Sequence, residues 1–164
     1  MAEPISVRSD DPVVVEKVRV LQQRLIDGCN LVPFNRHIGF ELTHIADDRV
    51  HGRLEMRPEL IGNMHKQILH GGVMAAVLDS IGGCAAVAAA FARLSGEPRE
   101  ERLRRIAQLG TIDMRMDFLR PGRGQHFIAT AEVVRIGSKI CATVMHLRND
   151  EDQLIATSNA VYHY

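Results

Sequence analysis

The residues in this chain whose types and spacing best suit chemistry are His70-Gly71-Gly72 and, further along an otherwise apolar run, Asp79. An ionised carboxylate within apolar surroundings is costly unless it is paired or opens onto a pocket, which makes Asp79 the first functional candidate. Gly71 and Gly72 allow the backbone to approach a ligand closely. If a helix starts here, its first N–H groups have no internal partner and can receive a developing negative charge, with the helix dipole assisting. The same dipeptide also suits a tight turn; the acid that follows favours the functional reading.

These groups depend on one element. Between Gly71 and Ala92, Asp79 is the one charged side chain, and apolar residues fall on every face, so the run predicts a helix buried all round. Its length would suit a membrane span, but alanine dominates, Gly82-Gly83 interrupts it and an aspartate sits within it. A core helix is expected, and no membrane span. Upstream, residues 1–11 read as a loose tail. Asp11-Pro12 then reads as an N-cap with proline in the first turn, followed by an amphipathic helix with a stop at Gly28. Pro33–His37 is a short helical or irregular entry. Phe40, Leu42 and His44 alternate with Glu41, Thr43 and Ile45, Asp47-Asp48 turns, and Val50, Gly52, Leu54 and Met56 complete a first hairpin. Glu59–Leu69 reads as a loop into the central helix. Leu103, Ile106, Ala107 and Leu109 suggest a second short helix. Ile112, Met114, Met116 and Phe118 alternate as a half-buried strand, and segments 127–136, 140–148 and 153–164 follow across short turns, predicting a four-stranded antiparallel meander.

Composition narrows the function. With 20 basic and 20 acidic residues the formal net charge is zero, and one helix of mixed charge is no helix-turn-helix, so no nucleic-acid partner is expected. Three cysteines, Cys29, Cys84 and Cys141, lack CxxC spacing, which suits a reducing compartment; Cys84 reads as a small core residue. The N-terminus lacks the basic-then-apolar pattern of a signal peptide, so a cytoplasmic location is expected. Eight histidines without HxxxH spacing argue against a metal site, and there is no P-loop, GxGxxG or GxSxG. No cofactor is expected. Arg102, Arg104 and Arg105 could meet phosphate or line a solvated helix face.

The HGG triplet, the apolar run and its Asp, with Asn63 upstream and the segment Gly110–Gly122 downstream, resemble the hotdog-fold acyl-CoA thioesterases of the PaaI type, most closely the YigI-like proteins. The resemblance covers residues 34–164. It implies an α+β hotdog fold, with a long central helix wrapped by an antiparallel sheet, preceded here by an N-terminal tail and helix over residues 1–33. It also implies hydrolysis of fatty or aryl acyl-CoA thioesters. That reaction needs a polarised carbonyl, an activated nucleophile and a place for the oxyanion. Gly71 N–H is the oxyanion candidate, beside Gly72. Asp79 is general base on water or direct nucleophile, and the two routes remain open. By resemblance Thr111 helps hold the water, although a β-branched residue starting a strand would look the same. Asn63 bonds the thioester or orders its loop, and His70 is positional more than basic. Coenzyme A needs cations for its phosphates, and Arg120, Arg123, Arg135 and Lys139 lie at or near the turns of the last strands. Few aromatics, with Met74, Ala75, Ala85 and Ala88 leaving space along the central helix for an apolar chain, favour aliphatic over aryl groups, and fatty acyl-CoA of medium to long chain is the expected substrate.

Gly71 and Asp79 are eight residues apart, about 12 Å along one helix at 1.5 Å per residue. A donor and a base acting on one carbon must each lie within about 3 Å of the reacting atoms. A second, antiparallel copy would supply the missing group, and the resemblance implies such a homodimer or homotetramer with sites at the subunit interface. Two other readings of the same fold are a non-catalytic acyl-CoA binding or sensing protein, which would dispense with the acid, and a hydratase or dehydratase, whose histidine-bearing loop is not found here.

Overall fold

The computed structural model describes residues 11–46 and 49–164; positions 1–10 of the expected tail and the expected Asp47-Asp48 turn lie outside the described residues. Helix α1 (Pro12–Asn30) starts as predicted: the Asp11 side chain accepts the Val13 N–H at 2.9 Å, with Pro12 in the first turn. The predicted stop at Gly28 is not used. The helix runs on to Asn30, whose side chain accepts the Leu42 N–H at 2.7 Å and donates to the Leu42 carbonyl at 3.0 Å. This pair of hydrogen bonds ties the end of α1 to a strand. Helix α2 (Pro33–Ile38) closes on Gly39 in the left-handed region (φ +76°), where a Cβ would be strained.

Strands β1 (Phe40–Ala46) and β2 (Arg49–Glu55) pair antiparallel, with an irregularity between Leu42 and His44. The simple alternation expected for β1 therefore breaks. Phe40 and Leu42 are buried, His44 turns outward to stack on His51, and Ile45 packs against the core. The expected open loop after β2 is ordered instead. A 3-10 turn at Pro58–Leu60 leads into a small hairpin of β3 (Ile61–Asn63) and β4 (Ile68–Leu69).

The central helix α3 (Gly71–Arg93) follows. Met74, Val77, Leu78, Ile81, Ala85 and Ala89 are buried against the sheet. Burial all round is not what the structure shows: Ala76, Asp79 and Gly83 remain half-exposed on another face. Gly82 permits close contact, because a Cβ there would lie 2.4 Å from the Tyr162 hydroxyl. Helix α4 (Arg99–Ile106) starts and stops earlier than its apolar residues suggested. Glu100 and Glu101 in its first turn and Arg104 and Arg105 in its last complement the helix dipole, a polar signal that an apolar stripe does not reveal. The arginines there are engaged locally: Arg102 lies over the Phe91 ring, Arg104 pairs with Glu101 and Arg105 lies over Tyr164.

The remaining strands are β5 (Gly110–Phe118), β6 (His126–Ile136), β7 (Ile140–Asn149) and β8 (Leu154–His163). The sheet order is β1-β2-β6-β7-β8-β5, antiparallel throughout. This corrects the four-stranded meander: β6-β7-β8 form one, but β5 pairs with β8 and not with β6. The segment 119–125 crosses three strand spacings, about 14 Å at ~4.8 Å each, which seven residues can span. The half-buried reading of β5 also needs correction, since as an edge strand it leaves Ile112 59% and Phe118 58% exposed.

Candidate active site

Asp79 sits near the middle of α3, half-buried, and its carboxylate is held from the sheet. The Thr111 hydroxyl donates to Asp79 Oδ1 at 2.8 Å. This contact depends on a bulge. Thr111 pairs with Tyr162 and Asp113 with Val161, so Ile112 is extra in the register. Strict alternation would put Thr111 on the face opposite Met114 and Met116. The inserted residue brings all three to the side facing α3.

A third side chain belongs to this group. Tyr162 of β8 is fully buried, and its hydroxyl donates to the Asp79 backbone carbonyl at 3.0 Å and lies 3.4 Å from Oδ1. Burial, with the neighbouring Asp79 carboxylate, pushes the phenol far above its usual range, so it stays protonated. The signal for Tyr162 was a tyrosine in an apolar strand, whose hydroxyl must find a partner once buried. Both hydroxyls meet Oδ1; among the described residues Oδ2 has no protein hydrogen bond.

The His70-Gly71-Gly72 triplet forms the start of α3. His70 is the N-cap, and its Nδ1 accepts the Gly72 N–H at 2.8 Å. That nitrogen must be unprotonated to accept, so the ring is engaged in capping. Gly71 N–H makes no hydrogen bond among the described residues. The Phe118 ring lies against Gly71, 3.1 Å from where a Cβ would be. The approach to the triplet is fixed by backbone bonds, Leu69 N–H to Gly122 at 2.9 Å and His70 N–H to Leu60 at 2.8 Å. Gly122 is required there, since a Cβ would meet Met74 at 2.4 Å and Leu69 at 2.8 Å. Asn63 orders the hairpin: its Oδ1 accepts the Lys66 N–H at 2.9 Å, and its carbonyl accepts the Gln67 N–H at 2.8 Å.

The structure thus gathers Asp79 with Thr111, and His70 with Gly71 and Gly72, as two separate groups along α3. The four candidate cations also divide. Arg123 lines an open groove of about 410 Å³ with Arg57, Lys66 and Gln67, next to the hairpin. Arg120 donates to the Leu154 carbonyl at 2.8 Å. Arg135 and Lys139 line a different groove of about 490 Å³ beyond the far end of β6. Ten residue steps of strand separate the ends of β6, about 33 Å at ~3.3 Å each, so the two pairs of one chain cannot share a phosphate. Sequence reasoning passed over Arg57 and Lys66, which only the folded hairpin brings beside Arg123.

Residues 66–156 match the family model described as Thioesterase superfamily. Over 131 residues, 80% of this chain and 84% of the relative, the chain is 37% identical to the medium/long-chain acyl-CoA thioesterase YigI of Escherichia coli (strain K12). A crystal structure from Shewanella oneidensis, of a protein related to the thioesterase superfamily, is 40% identical with a TM-score of 0.83, over 94% of this chain and 99% of that one. The PaaI protein of the E. coli phenylacetic acid degradation operon shares the fold, with a TM-score of 0.68 at 17% identity over 86% of this chain and 90% of that one. The chain belongs to the thioesterase superfamily, as a hotdog-fold thioester hydrolase similar to YigI that shares its fold with PaaI.

Proposed function

We propose that this protein hydrolyses medium- to long-chain fatty acyl-CoA to free fatty acid and CoA, with Asp79 as the reacting acid. The observation that carries this is the Asp79 carboxylate, held at Oδ1 by Thr111 and, among the described residues, without a protein hydrogen bond at Oδ2. A non-catalytic acyl-CoA binding protein has no use for such an oriented acid. The chain-length range follows the name of the YigI relative.

In the reaction, Oδ2 takes a proton from water as the oxygen attacks the thioester carbon, or attacks that carbon itself to give an anhydride that water then opens. Negative charge gathers on the carbonyl oxygen, and the Gly71 N–H at the positive end of α3 stabilises it. Collapse expels the CoA sulfur, which takes up the proton that Asp79 removed from water and leaves as the thiol; in the anhydride route that proton comes from the water that opens the anhydride. His70 fixes the Gly71-Gly72 backbone, Asn63 shapes the loop beside it, and Thr111 orients the acid.

The two groups on α3 complete one site when a second copy runs antiparallel, so that one chain's Gly71 faces its partner's Asp79. Two features support a homodimer: the half-exposed face of α3 that carries Ala76, Asp79 and Gly83, and the unpaired edge of β5 with Ile112 and Phe118 exposed. Arg123, with Lys66 and Arg57, is the better-placed cation group for CoA phosphates, lying on the hairpin side of the triplet; Arg120 serves that loop. Arg135 and Lys139 would reach CoA only if the partner's substrate extends to them. Residues 1–33 are read as an N-terminal tail and helix preceding the hotdog domain of residues 34–164, and three free thiols fit the cytoplasm. The test is steady-state release of CoA across acyl chains from two to eighteen carbons, an assay range of about this width being enough to bracket the claim. Turnover peaking at medium to long chains is expected. Binding without turnover, or a clear preference for aryl or short acyl groups, would overturn it.

A further inference from the structure

We infer that Tyr162 is a positioning residue for the reaction: it anchors the Asp79 carboxylate through Oδ1 and so leaves Oδ2 as the reacting oxygen. This rests on the reading of Asp79 given above and adds to it a residue from the last strand.

The argument starts from the environment of the two hydroxyls that meet Oδ1. Thr111 lies on the exposed edge strand, where water competes for its bond. Tyr162 is fully buried, so its bond forms where no water competes and the effective dielectric is low. Its single proton is shared between the Asp79 carbonyl at 3.0 Å and Oδ1 at 3.4 Å. One phenol therefore holds both the helix backbone and the side chain of the same residue. The buried phenol keeps its proton, so it acts as donor throughout. Thr143, itself buried, lies against the same hydroxyl.

The sequence of α3 makes room for this contact. Gly82, one turn after Asp79, is the position where a Cβ would stand 2.4 Å from the Tyr162 oxygen. The other near atoms are Met145 Sδ at 3.0 Å and Cε at 3.1 Å, on a flexible chain that can yield. Alanine at 82 should thus displace the phenol specifically. Removal of the phenol oxygen should in turn make alanine acceptable, because the methyl then occupies the vacated space.

The experiment measures kcat, KM and melting temperature for the full chain and for Asp79→Asn, Tyr162→Phe, Gly82→Ala and the Tyr162→Phe/Gly82→Ala double variant, with a medium-chain acyl-CoA. Tyr162→Phe should lower kcat about tenfold, the lower end for a lost hydrogen bond to a charged group, with KM within about twofold. Gly82→Ala should lower kcat similarly in the wild type and add nothing in the Tyr162→Phe background. The inference is overturned if Asp79→Asn is inactive while Tyr162→Phe keeps kcat within about threefold of wild type. It also fails if the loss appears in KM, or follows the fraction of unfolded protein. Should Tyr162→Phe not fold, Gly82→Ala decides alone: folded with normal kcat, it overturns the inference. Full activity in Asp79→Asn would instead remove the underlying reading of the acid.

Discussion

Replacing Asp79 by Asn isolates the chemical role of the acid, because the structure shows which contacts survive. Asparagine keeps an oxygen at Oδ1, so the Thr111 hydroxyl at 2.8 Å and the Tyr162 hydroxyl at 3.4 Å retain their acceptor. The change is confined to Oδ2, which has no protein hydrogen bond among the described residues. Stability should therefore move by no more than ~0.5 kcal/mol, about 2 °C in Tm for a chain of this size. The base or nucleophile, by contrast, is gone. General-base catalysis contributes roughly 10²- to 10⁴-fold, so kcat should fall by at least about 100-fold, equivalent to about 2.7 kcal/mol or more on the barrier. A thiol-reactive dye reporting free CoA gives kcat and KM, calorimetry with the unhydrolysed substrate gives binding, and a thermal melt gives Tm. Activity within about fivefold of wild type would refute the assignment. So would a large fall in Tm, since the carboxylate would then be structural.

Thr111→Ala removes the donor at 2.8 Å from Oδ1 and should lower kcat about tenfold, roughly 1.4 kcal/mol, with little change in Tm; unfolding of the variant would favour a structural role. Shared sites can be checked by refolding a mixture of Asp79→Asn and Gly71→Pro. Heterodimers should recover one intact site of two, and a mixture that stays inactive although heterodimers form would refute sharing. Arg123→Glu should raise KM for acyl-CoA while sparing an acyl-pantetheine thioester that lacks the nucleotide; equal effects on both would count against a phosphate role.

The sequence alone carried the starts of the main helices and the long strands, though not the end of α1 past Gly28, the β3–β4 hairpin or the bounds of α4. The Asp11-Pro12 start of α1, the extent of α3 from Gly71 and the long strands of the last third follow from capping residues, apolar runs and alternation, which act between neighbours in the chain. The HGG triplet and Asp79 were legible for the same reason: a charged side chain in an apolar helix and paired glycines at its start are anomalies visible without a fold, whereas Thr111 was singled out only by the family resemblance. The sheet order was not legible. Pairing of β5 with β8 instead of β6 is set by which edge is free beside α3, a property of the assembled layers. The bulge at Ile112, which turns Thr111 toward Asp79, leaves the alternating pattern intact on paper while reversing its meaning in space. Tyr162 stands far from Asp79 in the chain, and Arg57 and Lys66 stand far from Arg123; only packing of the sheet on the helix and of the hairpin on the β5–β6 connection brings them together. Local chemistry nominated the acid, and tertiary packing decided which hydroxyls hold it.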